Sequence, residues 1–160
     1  MSDLALVLAL RPATDGDDAF LRRLYASTRD EELQVTDWSN AQKEAFLNQQ
    51  YSAQDLHYRT YPNTSFDVIL AGSTPAGRLY VARWAREIRI VDIALTPEWR
   101  ARGIATHYLR QLQAEAAAAA LPLGIHVEAN NRARQLYERL GFKATGDLGV
   151  YLYYVWFPPA

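Results

Sequence analysis

The residues best suited to chemistry form a short, positively charged turn between a predicted strand and a predicted helix. Segment 100–105 reads RARGIA and follows the β-rich run 88–95. The first turn of a helix carries backbone N–H groups without an intrahelical partner, and the helix dipole favours negative charge there. Gly103 and Ala105 leave those groups uncovered, while two arginines add positive charge. The turn therefore predicts an anion site that would suit a diphosphate.

Composition limits the partners. The chain has 160 residues, a net charge of −1 and no cysteine. Its length favours one domain over 1–160, and the missing cysteines exclude disulfides, thiolate metal sites and a cysteine nucleophile. Evenly spread Lys and Arg give no sign of a nucleic-acid or membrane partner. Because no run of 18 apolar residues occurs, we expect a soluble, cytoplasmic protein.

Strand and helix patterns alternate along the chain in a mixed α/β order. We expect one helix to begin within 13–18 and run to about 28, and a second to run from the capping box at 39–42 towards 58. A third should cover 103–120, and a fourth should be capped by Asn130 or Asn131 and run through 140, while 29–38 reads as a carboxylate-rich loop. We expect strands over 6–11, 65–71, 78–84, 88–95, 123–127 and 150–157, with a loose turn over 72–77. The helix between 88–95 and 123–127 makes that strand pair parallel.

Two spaced motifs resemble the GNAT superfamily of acetyl-CoA-dependent N-acetyltransferases. Segment 100–105 is similar to the family's pyrophosphate signature, in which Arg or Gln precedes a glycine by three residues and a second Gly or Ala follows. Segment 130–142, NNRARQLYERLGF, is similar to its Asn…Ala…Leu-Tyr…Gly-Phe helix. The element order from Leu6 to Phe157 also matches. The resemblance implies the GNAT acyltransferase fold, with a central mixed sheet of about seven strands and four helices.

The resemblance also implies acetyl-CoA as co-substrate and no metal. The pantetheine arm would lie where the central strand and the Leu123 strand part, and the diphosphate would take N–H groups from 102–106. One of the two asparagines would cap the helix and the other would face the arm. The implied cofactor-binding residues are Ile93, Ala94, Leu95, Arg100, Ala101, Arg102, Gly103, Ile104, Ala105, Thr106, Asn130, Asn131 and Arg134.

Direct transfer to an amine needs an acid for the departing thiolate. Tyr137 matches the family's tyrosine, which implies that it protonates the coenzyme A sulfur. A phenol with a pKa near 10 can give its proton to the thiolate of a thiol with a pKa near 8.5 at only a modest cost in free energy. The alternative is a core tyrosine at helical spacing with Ala133 and Leu140. A backbone N–H near Ile93 would hold the oxyanion.

The general base has several candidates. His126 lies where other members present a glutamate, and its ordinary pKa near 6.5 suits the task. Strand alternation places Glu87, Arg89, Val91 and Ile93 on one face, with Arg89 where some members carry the base. Glu87 is the weaker candidate. A non-catalytic His126 and a water relay remain open.

Substrate clues come from the predicted loop between the first two helices. Its carboxylates, Asp30, Glu31, Glu32 and Asp37, could attract a protonated amine or could simply be solvated. Aromatic residues that could line an apolar pocket or belong to the core are Tyr58, Tyr61, Tyr80, Trp84 and Tyr151.

We therefore expect acetyl transfer from acetyl-CoA to a primary amine in a ternary complex, with a homodimer possible by family habit. One alternative is an acyl-CoA sensor of the same fold without turnover. A nucleotide-binding protein is a further alternative, although the Gly-Lys-Ser/Thr ending of phosphate loops is missing.

Overall fold

A computed structural model of the chain describes residues 7–129, 131–148 and 151–160. Over these residues it contains one seven-stranded sheet, five α-helices and two short 3-10 helices, Asp15–Asp17 and Pro97–Trp99. The strands are β1 Leu8–Pro12, β2 Thr64–Ala71, β3 Thr74–Arg83, β4 Ile88–Leu95, β5 Leu123–Glu128, β6 Lys143–Leu148 and β7 Tyr151–Trp156. The helices are α1 Asp18–Thr28, α2 Asp30–Gln34, α3 Asn40–Tyr58, α4 Ile104–Ala119 and α5 Arg134–Arg139. This order confirms the predicted fold class.

Helix α2 replaces part of the predicted loop over 29–38, so the loop prediction was wrong there. Three carboxylates occupy its first turn, where they complement the helix dipole. Arg29 also pairs with Glu32 at 3.0 Å, one helical turn away. These local interactions stabilise a five-residue helix that lacks any apolar period, which is why the pattern alone missed it.

The sheet order is β1-β2-β3-β4-β5-β7-β6. Strands β4 and β5 are parallel, whereas every other neighbouring pair is antiparallel. The parallel pair confirms the prediction and follows from the crossover through α4.

The β2–β3 hairpin is tighter than predicted. Ala71 pairs with Thr74, so only Gly72 and Ser73 form the turn instead of the whole segment 72–77. Gly72 has φ 63°, a left-handed conformation that glycine adopts without a steric penalty.

Apolar side chains cover both faces of the sheet. One core packs α4 and α5 against β4 and β5 and includes Ile90, Leu109, Leu123 and Tyr137. A smaller cluster lies between α1 and α3 and includes Leu24 and Tyr51. Among the described helices, none has both the length and the apolar character needed to cross a bilayer.

Candidate active site

Strands β4 and β5 part midway along their length. They share three residue pairs, of which Ile90 with Ile125 is the last, although β4 continues to Leu95 and β5 to Glu128. From Val91 onward, the β5-facing edge of β4 no longer pairs with β5. The result is an opening in the sheet edged by unshared strand backbone, which can hydrogen-bond an extended ligand.

A β-bulge in β4 lies at this opening. Tyr80 pairs with Asp92 and Val81 pairs with Ile90, which leaves Val91 without a partner in β3. An extra residue reverses the alternation of side chains beyond it.

The bulge corrects one prediction about the faces of β4. Ile90 and Ile93 both pack on the α4 side of the sheet, whereas Asp92 contacts Tyr58 of α3 on the opposite side. Arg89 and Ile93 therefore lie on opposite faces, and the predicted common face of Glu87, Arg89, Val91 and Ile93 was wrong beyond the bulge.

A pocket of about 280 Å³ opens beside the end of β4. Its walls are the turn before α4, the first turn of that helix and the exposed side of α5. The lining residues are Leu95, Ala101, Gly103, Ile104, Ala105, Thr106, Leu136 and Arg139. Six of them belong to the predicted cofactor set, and Leu136 and Arg139 do not.

The start of α4 has the features of an anion site. Gly103 is its N-cap residue, with φ 83° and no side-chain capping bond. The N–H groups of the first helical turn therefore have no capping side chain. Ala101 also has a left-handed φ of 60°, a conformation that costs an alanine about 1–2 kcal/mol. Strained backbone of this kind is concentrated at ligand sites.

The two motif arginines have structural contacts. Arg100 donates from Nε to the Leu95 carbonyl at 3.0 Å and from Nη2 to Ser27 Oγ at 3.2 Å, which ties the turn to α1. The Arg102 guanidinium lies 4.8 Å from the centre of the Trp99 ring. Arg139 is the arginine that lines the pocket. Sequence reasoning missed it because Arg139, although it lies within segment 130–142, is not one of the positions that the family's pattern names. Its spacing of three from Leu136 places both residues on one helix face.

Two of the predicted cofactor-binding residues, Asn131 and Arg134, form hydrogen bonds within the protein near α5. Asn131 Oδ1 accepts the Ala133 N–H at 2.8 Å, so Asn131 caps the turn that leads into α5. Arg134 donates from Nε to the Tyr154 hydroxyl at 3.0 Å and from Nη1 to the Ala129 carbonyl. Asn130 lies outside the described residues.

Tyr137 is buried in the core on the α4 side, with only 4% of its surface exposed. Its ring packs edge-on against Phe142, with centroids 5.7 Å apart. Burial raises the pKa of its hydroxyl well above the ordinary value, and the Asp92 carboxylate adds to the rise. Within the described part of the chain, that hydroxyl forms no hydrogen bond. The raised pKa keeps the Tyr137 hydroxyl protonated at neutral pH.

Glu87 is held by three hydrogen bonds on the opposite face. Arg89 donates to both of its oxygens, from Nε at 2.6 Å and from Nη2 at 2.9 Å, and the Tyr153 hydroxyl donates at 2.6 Å. Burial and this bond raise the pKa of Tyr153 to about 12. A Cβ on Gly124 would lie 2.3 Å from Glu87 Oε2 and 2.5 Å from the Tyr153 oxygen. Glycine at 124 thus makes room for the cluster.

His126 lies on the exposed side of β5. Its Nδ1 is 3.5 Å from Arg89 Nη1, and its ring centroid is 5.1 Å from that of Tyr153. Burial lowers the pKa of His126, the Arg89 charge lowers it further, and Glu87 opposes them. Ile125 and Val127 pack in the same core as Tyr137, so alternation places His126 on the other face from Tyr137.

A buried ion pair that sequence reasoning missed lies next to the bulge. Arg78 is 2% exposed, and its Nη2 donates to Asp92 at 2.5 Å and to Gln54 at 2.7 Å. The Tyr58 hydroxyl donates to the same Asp92 carboxylate at 3.0 Å. Both charged residues lie in ordinary β patterns, so no local sequence signal distinguished them from strand residues that face solvent.

The aromatic candidates do not share one environment. Tyr80 is fully buried and belongs to the core. Tyr58, Tyr61 and Trp84 are half-buried and form a chain of ring contacts, with centroids 6.5 Å apart from Tyr58 to Tyr61 and 5.9 Å apart from Tyr61 to Trp84. The side chain of Tyr151 lies outside the described residues.

Two ion pairs join the region of α2 to β5 and to the turn that follows it. Arg132, in the turn before α5, contacts Glu31 at 2.5 Å, and Arg29 lies 3.6 Å from Glu128 of β5. Asp37 is exposed. Over 7–129, 131–148 and 151–160, no group of three or more His, Asp or Glu side chains could hold a metal ion.

Comparison with known proteins identifies the family. The profile described as "Acetyltransferase (GNAT) family" matches residues 32–142. The chain belongs to the GNAT acetyltransferase family. No curated protein sequence matches it significantly.

Solved structures share the fold at low identity. PaiA N-acetyltransferase from Thermoplasma acidophilum, in complex with coenzyme A, is 16% identical with a TM-score of 0.71 over 95% of this chain and 99% of its own. An acetyltransferase from Thermus thermophilus is 20% identical, with a TM-score of 0.69 over 95% and 97%. RimL, a ribosomal L7/L12 alpha-N-protein acetyltransferase in complex with coenzyme A, is 19% identical, with a TM-score of 0.61 over 94% of both chains.

Proposed function

We propose that the protein transfers an acetyl group from acetyl-CoA to a primary amine by direct attack in a ternary complex. One observation carries the proposal: the pocket at the uncapped start of α4 lies at the end of β4, beyond the point where that strand has parted from β5. An anion site next to free strand backbone suits a ligand with a diphosphate and an amide-bearing arm. Two solved family members are named as coenzyme A complexes.

The residues present fit the diphosphate. N–H groups from Gly103 to Thr106 and the α4 dipole would bind the phosphate oxygens, and the Arg139 guanidinium would add a charge-assisted hydrogen bond. Arg100 would act indirectly by holding the turn against α1. The backbone of Ile93 to Leu95 would pair with the pantetheine amides along the edge that β5 leaves unshared.

Tyr137 is the proposed acid. The thioester supplies an activated acetyl group, and the amine nitrogen forms the new bond as the carbon–sulfur bond breaks. The raised pKa of Tyr137 keeps its hydroxyl protonated until the thiolate forms. A backbone N–H near Ile93 would stabilise the oxyanion.

The ammonium proton is proposed to leave through water. Glu87 already accepts three hydrogen bonds, two from Arg89 and one from Tyr153, so its oxygens are engaged by other side chains. The Nδ1 atom of His126 faces a permanent cation, which disfavours a proton there. An amine that enters in its neutral form, or loses its proton to solvent, needs neither side chain.

The contacts that engage Glu87 and His126 also favour the alternative function, an acyl-CoA sensor of the same fold without turnover. A family member whose candidate bases are both engaged could bind acetyl-CoA without turning it over.

An amine screen with coenzyme A detection separates the two functions. The protein would be incubated with acetyl-CoA and a panel of small amines, lysine peptides and free peptide N-termini. Thiol release that requires an amine, with the acetylated amine found by mass spectrometry, supports the transferase. Tight binding of acetyl-CoA with no release on any acceptor would support the sensor.

A further inference from the structure

A second charged cluster, formed by Glu87, Arg89, Tyr153 and His126, lies on the face of the sheet opposite Tyr137. We propose that Arg89 is a positioning residue that holds His126 in its neutral form with the proton on Nε2. In that form His126 presents a hydrogen-bond donor to the open face of the sheet and does not act as a general base. Any part that this donor plays in acetyl transfer rests on the proposed function. The tautomer and protonation state of His126 do not.

The Arg89 guanidinium is held in place by contacts other than the one it makes with His126. Its two bonds to Glu87 hold the guanidinium as a fork. Its central carbon lies 5.2 Å from the centre of the Trp84 ring and 5.0 Å from that of Tyr153. A guanidinium bonded along one edge to Glu87 and in contact with two aromatic rings has little freedom to turn away. The remaining nitrogen, Nη1, is the one that faces His126 Nδ1 at 3.5 Å.

That contact selects one tautomer. Arginine only donates, and it stays charged at any physiological pH. A proton on Nδ1 would place an N–H and a positive ring against the guanidinium, whereas a bare Nδ1 presents a lone pair to it. The neutral ring must then carry its proton on Nε2. The ligand atom that His126 can bind is therefore a hydrogen-bond acceptor, such as a carbonyl or carboxylate oxygen of the acceptor molecule.

The charged groups around His126 are few. Arg89 faces it from β4, Glu87 from the residue just before that strand, and Tyr153 from β7. Glu128, on its own strand, lies beside Arg29. Arg89 opposes a charged imidazole and Glu87 favours one, so removal of each should move the His126 titration in opposite directions.

Imidazole nitrogen NMR tests the proposal without acetyl-CoA or amine. The chain has three histidines, and the His126 signals are those lost in His126→Gln. We expect a bare Nδ1 and a protonated Nε2 at neutral pH, a higher His126 midpoint in Arg89→Gln and a lower one in Glu87→Gln. The His57 and His107 midpoints should stay unchanged in both variants. Arg89→Lys keeps the positive charge, so its His126 midpoint should stay closer to wild type than that of Arg89→Gln.

Two results would overturn the proposal. One is a His126 proton on Nδ1 at neutral pH, and the other is a midpoint that neither charge-removing variant moves. If Arg89→Gln does not fold, the tautomer of the wild-type protein and the Glu87→Gln midpoint decide. Failure of this test leaves the amine screen unaffected, and a negative amine screen leaves the tautomer unaffected.

Discussion

Ile90 of β4 and Ile125 of β5 form the last residue pair that the two parallel strands share. Beyond it the strands part, and the anion pocket at the start of α4 lies at the end of the β4 edge so exposed. The proposed binding site thus depends on where strand pairing stops, on the bulge at Val91 and on an uncapped helix.

Ala105→Glu should block the pocket without unfolding the helix. The new carboxylate would meet the phosphates as a like charge, which costs several kcal/mol, so we expect coenzyme A affinity to fall at least about tenfold. A glutamate in the first helical turn is favourable to the helix itself, so Tm should not fall. Calorimetric titration with coenzyme A measures the change. Ala118→Glu, on an exposed part of the same helix, is the matched control, and equal affinity in both variants would place the ligand elsewhere.

Arg139→Ala should weaken coenzyme A binding by about tenfold, the size of one charge-assisted hydrogen bond. The difference from wild type should shrink as salt is raised, because the lost contact is electrostatic. Arg110→Ala removes an exposed arginine of α4 that does not line the pocket, so it should bind normally. Equal losses in the two variants would show that only overall charge matters.

Tyr137→Phe should lower turnover by about 10²-fold while coenzyme A affinity stays close to wild type, because general acid catalysis contributes roughly 10²–10⁴-fold. The ring that packs on Phe142 is retained. Tyr108→Phe removes a hydroxyl from the same core and should leave turnover unchanged. Wild-type turnover in Tyr137→Phe would remove this residue from the mechanism.

Asp17→Asn should make the free energy of unfolding less dependent on pH in the acid range. Hydrogen bonds from Arg11 hold the pKa of Asp17 at about 2, below its ordinary value of 3.8, through contacts of 2.8 Å to both oxygens. A lowered folded-state pKa means that the stabilisation is complete above 3.8 and is lost as pH falls through 2. We expect the variant to lose about 1–2 kcal/mol at neutral pH.

Thermal unfolding from pH 7 to pH 2 measures that difference, which should vanish at the acid end. Asp37→Asn changes an exposed carboxylate and should match wild type throughout. A difference for Asp17→Asn that stays constant down to pH 2 would contradict the assignment.

The sequence predicted the sheet, the parallel pair and the start of α4, because apolar period, helix caps and glycine position are local signals. It did not predict the bulge at Val91, which depends on the register between β3 and β4 and reverses the faces of Arg89 and Ile93. The sequence also did not predict the partners of Arg100 and Glu87 or the place of Arg139 in the pocket wall, because the contacts of long side chains depend on the three-dimensional fold. The ion pair of Arg78 with Asp92 spans two strands and leaves no trace in either.

A crystal structure with coenzyme A tests the central claim most directly. The account predicts the diphosphate on the N–H groups of Gly103 to Thr106, within reach of Arg139. It also predicts the pantetheine arm along Ile93 to Leu95 and the sulfur near the Tyr137 hydroxyl. Coenzyme A bound away from the opening between β4 and β5, or with its sulfur on the His126 face, would contradict it.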